Sequence, residues 1–169
     1  MSQRPSIRVE MLSDPLLLSG ARELIANVAD RLGFNEAGCA QLALAVDEAL
    51  CNVIRHGYER RKDSPIWISI WPVDEGARNG KPGRGPGLKI VIEDEARQVD
   101  PVAIKGRDLD DIKPGGLGVH IIRETMDEAT WERRDGKGMR LTIVKHISTV
   151  KPPAACVQSN PTPEEKTGG

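Results

Sequence analysis

The stretch KPGGLGVHIIRETMDE, Lys113–Glu128, passes from glycines straight into the pattern of an amphipathic helix. Helix starts ordinarily carry Ser, Thr, Asp or Asn as the capping residue. Here Gly115, Gly116 and Gly118 stand in that region instead. Glycine leaves the backbone N–H groups bare, and the helix dipole adds positive potential. Together they make a seat for an anion, often phosphate. The bland alternative is a turn that needs positive φ angles. The helix itself is expected over about Leu117 to Met126, and the surrounding sequence has to choose between the two readings.

Upstream, FNEAGCAQLALAVDEALCNVIRHG reads as one strongly apolar helix, capped by Asn35 and stopped by Gly57 after His56. Glu48, Asn52 and His56 are spaced four residues apart, so they share a face. A carboxylate, an amide and an imidazole are costly in an apolar helix unless they have partners. One reading is a polar stripe along an exposed edge. The other gives Asn52 to a hard cation such as Mg²⁺, which takes oxygen ligands, and sets Glu48 one turn away to accept a proton. Asp47 points elsewhere and reads as structural or solvent-exposed.

The remaining elements follow from period and punctuation. SIRVEML, Ser6–Leu12, alternates as a half-buried strand does. Asp14-Pro15 opens a helix that carries Leu17, Leu18, Ala21, Leu24, Ile25 and Val28 on one face and ends near Gly33. Strands are expected at Ile66–Val73 and Leu88–Asp94, joined by a Gly/Pro-rich loop. Asp94 closes the second of them, where a carboxylate can accept from an exocyclic amine or merely end the strand. The charged, weakly periodic stretch from Glu95 to Pro114 reads as a long mobile loop, with a lid over about Gln98 to Pro114. EATWERR and MRLTIVKHI form a hairpin around Asp135-Gly136. Residues 149–169 read as a disordered, Pro-rich tail behind a domain spanning 1–148.

Composition narrows the function classes. The 169 residues balance 24 Lys and Arg against 25 Asp and Glu, a net charge of −1 that gives no support to direct nucleic-acid binding. No apolar run was expected to reach a membrane span of roughly 20 residues, and the N-terminus lacks a leader's apolar core. Cys39, Cys51 and Cys156 are an odd set without metal-ligand spacing, expected as reduced thiols of a cytoplasmic protein.

The order of these features carries a resemblance. EALCN with His56 resembles the E-x-x-x-N box of the GHKL ATPase superfamily. PGGLG followed by MDE is similar to the second glycine box of its anti-sigma-factor serine kinases, the RsbW type. DEARQVDP is a looser match to their first glycine box. The likeness runs from about Ile7 to Ile147. It implies a Bergerat-type two-layer α+β sandwich, with helices packed on one face of a mixed, mainly antiparallel sheet, binding ATP and Mg²⁺.

Carried over residue by residue, the resemblance implies Glu48 as general base and Asn52 as the Mg²⁺-holding residue. Asp94 would accept from the adenine amino group, and Gly115, Gly116, Gly118 and Val119 would line the phosphates. Ala96 stands at the adenine edge where the first box has Gly, and Met139 stands where a Thr is common. The implied activity is transfer of the ATP γ-phosphate to Ser or Thr of a STAS-type anti-anti-sigma protein, with a sigma factor as second partner and a homodimer as the assembly. The alternative is a non-catalytic GHKL-fold binding module whose ATP binding has decayed at Ala96 and Met139.

Overall fold

The computed structural model describes residues 4–75, 83–104 and 117–147. Within these residues five strands form one sheet: β1 (Ile7–Leu12), β2 (Pro65–Glu75), β3 (Gly85–Asp94), β4 (Glu128–Arg133) and β5 (Met139–His146), in the order β1-β2-β3-β5-β4. Every pairing is antiparallel, so the mixed sheet expected from sequence contains no parallel pair among the described strands. The connection between β3 and β4 carries a helix, which lets β5 pair directly with β3 and leaves β4 at the edge.

Among the described residues three helices supply the second layer: α1 (Leu18–Leu32), α2 (Glu36–Asn52) and α3 (Leu117–Thr125). The starts of α1 and α2 and the stop of α1 have local causes. Asp14 caps a 3₁₀ turn, Pro15–Leu17, by accepting from the Leu16 N–H, and α1 grows out of that turn. Gly33 ends α1 at φ +95°, a left-handed conformation that costs glycine nothing. Asn35 caps α2 through its side chain to the Gly38 N–H at 2.8 Å, as its sequence position implies.

One helix differs from expectation. The regular part of α2 ends at Asn52, and Val53–Gly57 continues it as a π-helical turn instead of α-helix up to His56. Together they make 22 residues, long and apolar enough by composition to cross a membrane, which the sequence reading did not anticipate. That apolarity is used inside the fold. Leu42, Val46, Leu50 and Ile54 of this element are buried with Ile66, Ile68 and Ile70 of β2 and Ile90 and Ile92 of β3 in one core. Side chains of this kind contribute ~1.5–3 kcal/mol each when fully buried.

The β2–β3 hairpin also runs longer than its sequence suggests. Val73↔Gly87, Asp74↔Pro86 and Glu75↔Gly85 still pair. The glycine is required at Gly87, where a β-carbon would sit 2.6 Å from the Lys145 carbonyl of β5.

Candidate functional site

A cavity of about 350 Å³ opens between the end of α2, the end of β3 and the start of α3, within the size range of small-molecule sites. Asn52, Asp94, Ala96 and Val119 all line it, so three separate sequence features converge on one space. Its walls are otherwise mostly apolar, with Ile92, Ile122, Trp131 and Leu141 prominent. Gly115 and Gly116 lie outside the described residues.

Glu48 is placed differently from its helix neighbours. Asn52 and His56 face the cavity, whereas Glu48 lies beside Gly118 at the start of α3. A β-carbon on Gly118 would be 2.5 Å from Glu48 Oε2 and 3.4 Å from Asn52 Nδ2. Gly118 therefore has a cause that sequence reading did not supply: α3 begins directly against the acid-and-amide face of α2. Neither Glu48 nor Asn52 makes a side-chain hydrogen bond among the described residues. Asp47, by contrast, is engaged with Arg22 at 3.4 Å on the surface.

Asp94 is only 4% exposed. Its Oδ1 accepts from the Ala96 N–H at 2.8 Å and the Met139 N–H at 3.1 Å. Burial pushes its pKa above the usual aspartate value, and these two bonds with the nearby Arg134 guanidinium oppose the shift. The contact with Met139 comes from backbone, so replacing a threonine side chain there leaves it intact. The Ala96 methyl is likewise accommodated: it lies against Gly57, where an added β-carbon would come within 2.9 Å of it.

Two supports of Asp94 escaped the sequence reading. Gly138, expected only as a turn residue, has φ +85° and packs on the Asp94 carbonyl. Tyr58, 2% exposed, donates from its hydroxyl to the Pro65 carbonyl at 2.6 Å and accepts from the Glu95 N–H at 2.7 Å. A buried tyrosine needs a partner for its hydroxyl, which was the available signal.

The expected mobile loop is organised where it is described. Asp100 caps a 3₁₀ turn at Pro101–Ala103. Gln98 donates to the Arg134 carbonyl at 2.6 Å, Arg133 to the Val99 carbonyl at 3.1 Å, and Arg123 to the Ile104 carbonyl at 2.9 Å. Arg123 also lies 5.3 Å from the ring centre of Trp131. Val99 and Ile104 thereby become part of the cavity wall. The rest of the expected lid, 105–114, lies outside the described residues, as does the expected tail.

Among the described residues no group of three or more His, Cys, Asp or Glu could hold a metal. The available donor is the Asn52 amide oxygen beside the Glu48 carboxylate. This set fits a cation held mainly by phosphate oxygens and water, as Mg²⁺ often is.

An apolar cavity lined by a buried carboxylate and an amide, with an acid on the same helix as the amide, suits a nucleotide. Over residues 11–145 the chain matches the histidine kinase-like ATPase domain, and it belongs to that family. Its relatives narrow the class. It is 28% identical to the anti-sigma F factor of Priestia megaterium over 137 residues, covering 79% of this chain and 86% of that one. It is 24% identical to the serine-protein kinase RsbW of Bacillus subtilis over 160 residues, covering 86% and 92%.

Solved structures share the fold. The SiaB–SiaC complex from Pseudomonas aeruginosa contains a chain with TM-score 0.54 and 13% identity, matched over 85% of this chain and 91% of that one. A structure of RsbU and RsbW domains from Mycobacterium tuberculosis gives TM-score 0.53 at 14% identity, covering 85% of this chain and 33% of that longer one.

Proposed function

We propose that this chain is an ATP-dependent serine/threonine protein kinase of the anti-sigma-factor type, acting on a STAS-type antagonist. The observation that carries the reading is the convergence of Asn52 and Asp94 on one cavity, with Glu48 beside Asn52 and against Gly118. In this reading Asp94 accepts from the adenine amino group through the oxygen not used by Ala96 and Met139. Val119 and the backbone around Gly118 border the phosphates. Mg²⁺, when bound at Asn52, neutralises phosphate charge during transfer. Glu48 takes the proton of the attacking seryl or threonyl hydroxyl, whose oxygen bonds to the γ-phosphorus as ADP leaves.

The partners belong to the same proposal. A relative named as an anti-sigma factor supports a sigma factor as partner, and relatives named as serine-protein kinases support a protein acceptor; the STAS-type antagonist and a cytoplasmic setting are part of the same proposal. A homodimer is supported by the edge position of β1 and by Leu12, Leu16 and Leu17, which are 51%, 81% and 44% exposed at its end. The second reading, a binding module without catalysis, draws on the Ala96 methyl in the cavity wall, although Gly57 leaves room for it.

The test is γ-phosphate transfer from labelled ATP to a STAS-type acceptor by wild type and Glu48→Gln. The variant should bind ATP as wild type does and transfer ~10²-fold more slowly, the low end for loss of a general base. Unchanged transfer would remove Glu48 from catalysis, and absent transfer by wild type would leave the binding-module reading.

A further inference from the structure

The β2–β3 ladder ends at Asp94, and one step beyond it a side chain takes over. The strands pair in register from Glu75↔Gly85 to Ile66↔Asp94. The same register would bring Pro65 opposite Glu95. The connection there runs through a side chain: the Glu95 N–H donates to the Tyr58 hydroxyl, which donates to the Pro65 carbonyl. Pro65 has no N–H to return. A phenol oxygen thus occupies the place of a ladder bond, and the strands part right after Asp94. The chain then turns, with the Ala96 N–H closing onto Asp94 Oδ1 at 2.8 Å.

Tyr58 also belongs to the other side of the cavity. It directly follows the π-helical turn Val53–Gly57, and its own N–H bonds to the Val53 carbonyl at 2.8 Å. That turn continues α2 from Asn52. One hydroxyl therefore ties the element carrying Asn52 to the strand end carrying Asp94. Burial raises the Tyr58 pKa, which keeps the hydroxyl protonated and able to donate.

We infer that the Tyr58 hydroxyl is a positioning group for Asp94, holding its carboxylate at the spacing from Asn52 that adenine recognition requires; this rests on the nucleotide reading of the cavity. The ring packs in the core and would do so without the hydroxyl. What the hydroxyl adds is the gap between strands at Glu95. Without it, the Glu95 N–H and Pro65 carbonyl either pair directly, drawing Asp94 toward β2, or stay unmet. Direct pairing shifts the carboxylate, and an unmet pair leaves the strand end that carries it untethered from Tyr58.

The experiment compares Mg-ATP with purine riboside triphosphate, which lacks the 6-amino group, on wild type and Tyr58→Phe. Tyr58→Phe should weaken ATP about tenfold, in line with loss of a hydrogen-bond arrangement, and leave the amino-free nucleotide within about twofold. Equal weakening of both nucleotides would show a merely structural role, and unchanged ATP affinity would overturn the inference outright. Failure of wild type to bind ATP would instead overturn the site reading, and this inference with it. A readout without substitution exists because Tyr58 is the single tyrosine. Uniform labelling with 3-fluorotyrosine gives one ¹⁹F signal, which should shift on saturation with Mg-ATP. A signal unmoved by bound ATP would contradict the coupling even if Tyr58→Phe failed to fold.

Discussion

Gly138 packs so closely on Asp94 that a β-carbon at Gly138 would lie 1.8 Å from the Asp94 carbonyl oxygen. The hairpin turn between β4 and β5 is therefore a mould for the end of β3. It shapes the backbone on one side and supplies the Met139 N–H to the carboxylate on the other.

Gly138→Ala should consequently damage stability and binding together. The left-handed φ of +85° alone costs a non-glycine residue ~1–3 kcal/mol, and the clash with backbone adds to it. Urea unfolding should show the loss, and ATP titration of the folded fraction should show weaker binding. By contrast Gly136→Ala, also at positive φ but with open space around it, should lose stability without losing ATP affinity.

Gly118→Ala should behave in the opposite manner. The group it would meet at 2.5 Å is the far end of the Glu48 side chain, which can swing aside. Alanine also favours helix by up to ~1 kcal/mol over glycine. The thermal midpoint should move by no more than a few degrees, while phosphate transfer falls by roughly tenfold or more as Glu48 leaves its place. Transfer at the wild-type rate would show that Glu48 does not need its present position.

Asp94 makes a prediction about pH. Its folded-state pKa is raised by burial, so the folded chain holds that proton more tightly than the unfolded chain does. Ionising it costs stability, and the cost appears as pH rises from the ordinary aspartate range of ~3.9 through the folded value. Asp94→Asn removes that cost and can keep an oxygen toward Ala96 and Met139. The stability of Asp94→Asn relative to wild type should therefore increase from pH 4 to 7 in urea unfolding without nucleotide. ATP binding should be lost in the same variant. A relative stability that falls with rising pH would contradict the burial account.

Much of this was legible in the chain before folding. The caps at Asp14 and Asn35 and the stop at Gly33 act within a few residues, so local chemistry reveals them. Glu48 and Asn52 declared themselves as polar groups in an apolar helix, and Asp94 as an acid closing an apolar strand. What stayed hidden is non-local. Gly138 looks like any turn glycine until it meets Asp94, 44 positions earlier. The Tyr58 hydroxyl bridges two strand ends that no periodicity brings together. The π-helical turn after Asn52 has no distinct residue signature, since Val53–Gly57 reads as the tail of an ordinary helix. Sheet order was equally out of reach, because hairpin signals do not say which strand returns beside β3.

The central claim, a nucleotide site built on Asn52 and Asp94, is tested most directly by isothermal titration of the wild-type chain with ATP in the presence and absence of Mg²⁺, alongside Asn52→Ala. Wild type should bind one ATP per chain with Mg²⁺-dependent affinity, and Asn52→Ala should bind at least about tenfold more weakly, as expected for a lost contact to a bound cation. No heat of binding from wild type at millimolar ATP, or equal binding by Asn52→Ala, would contradict it.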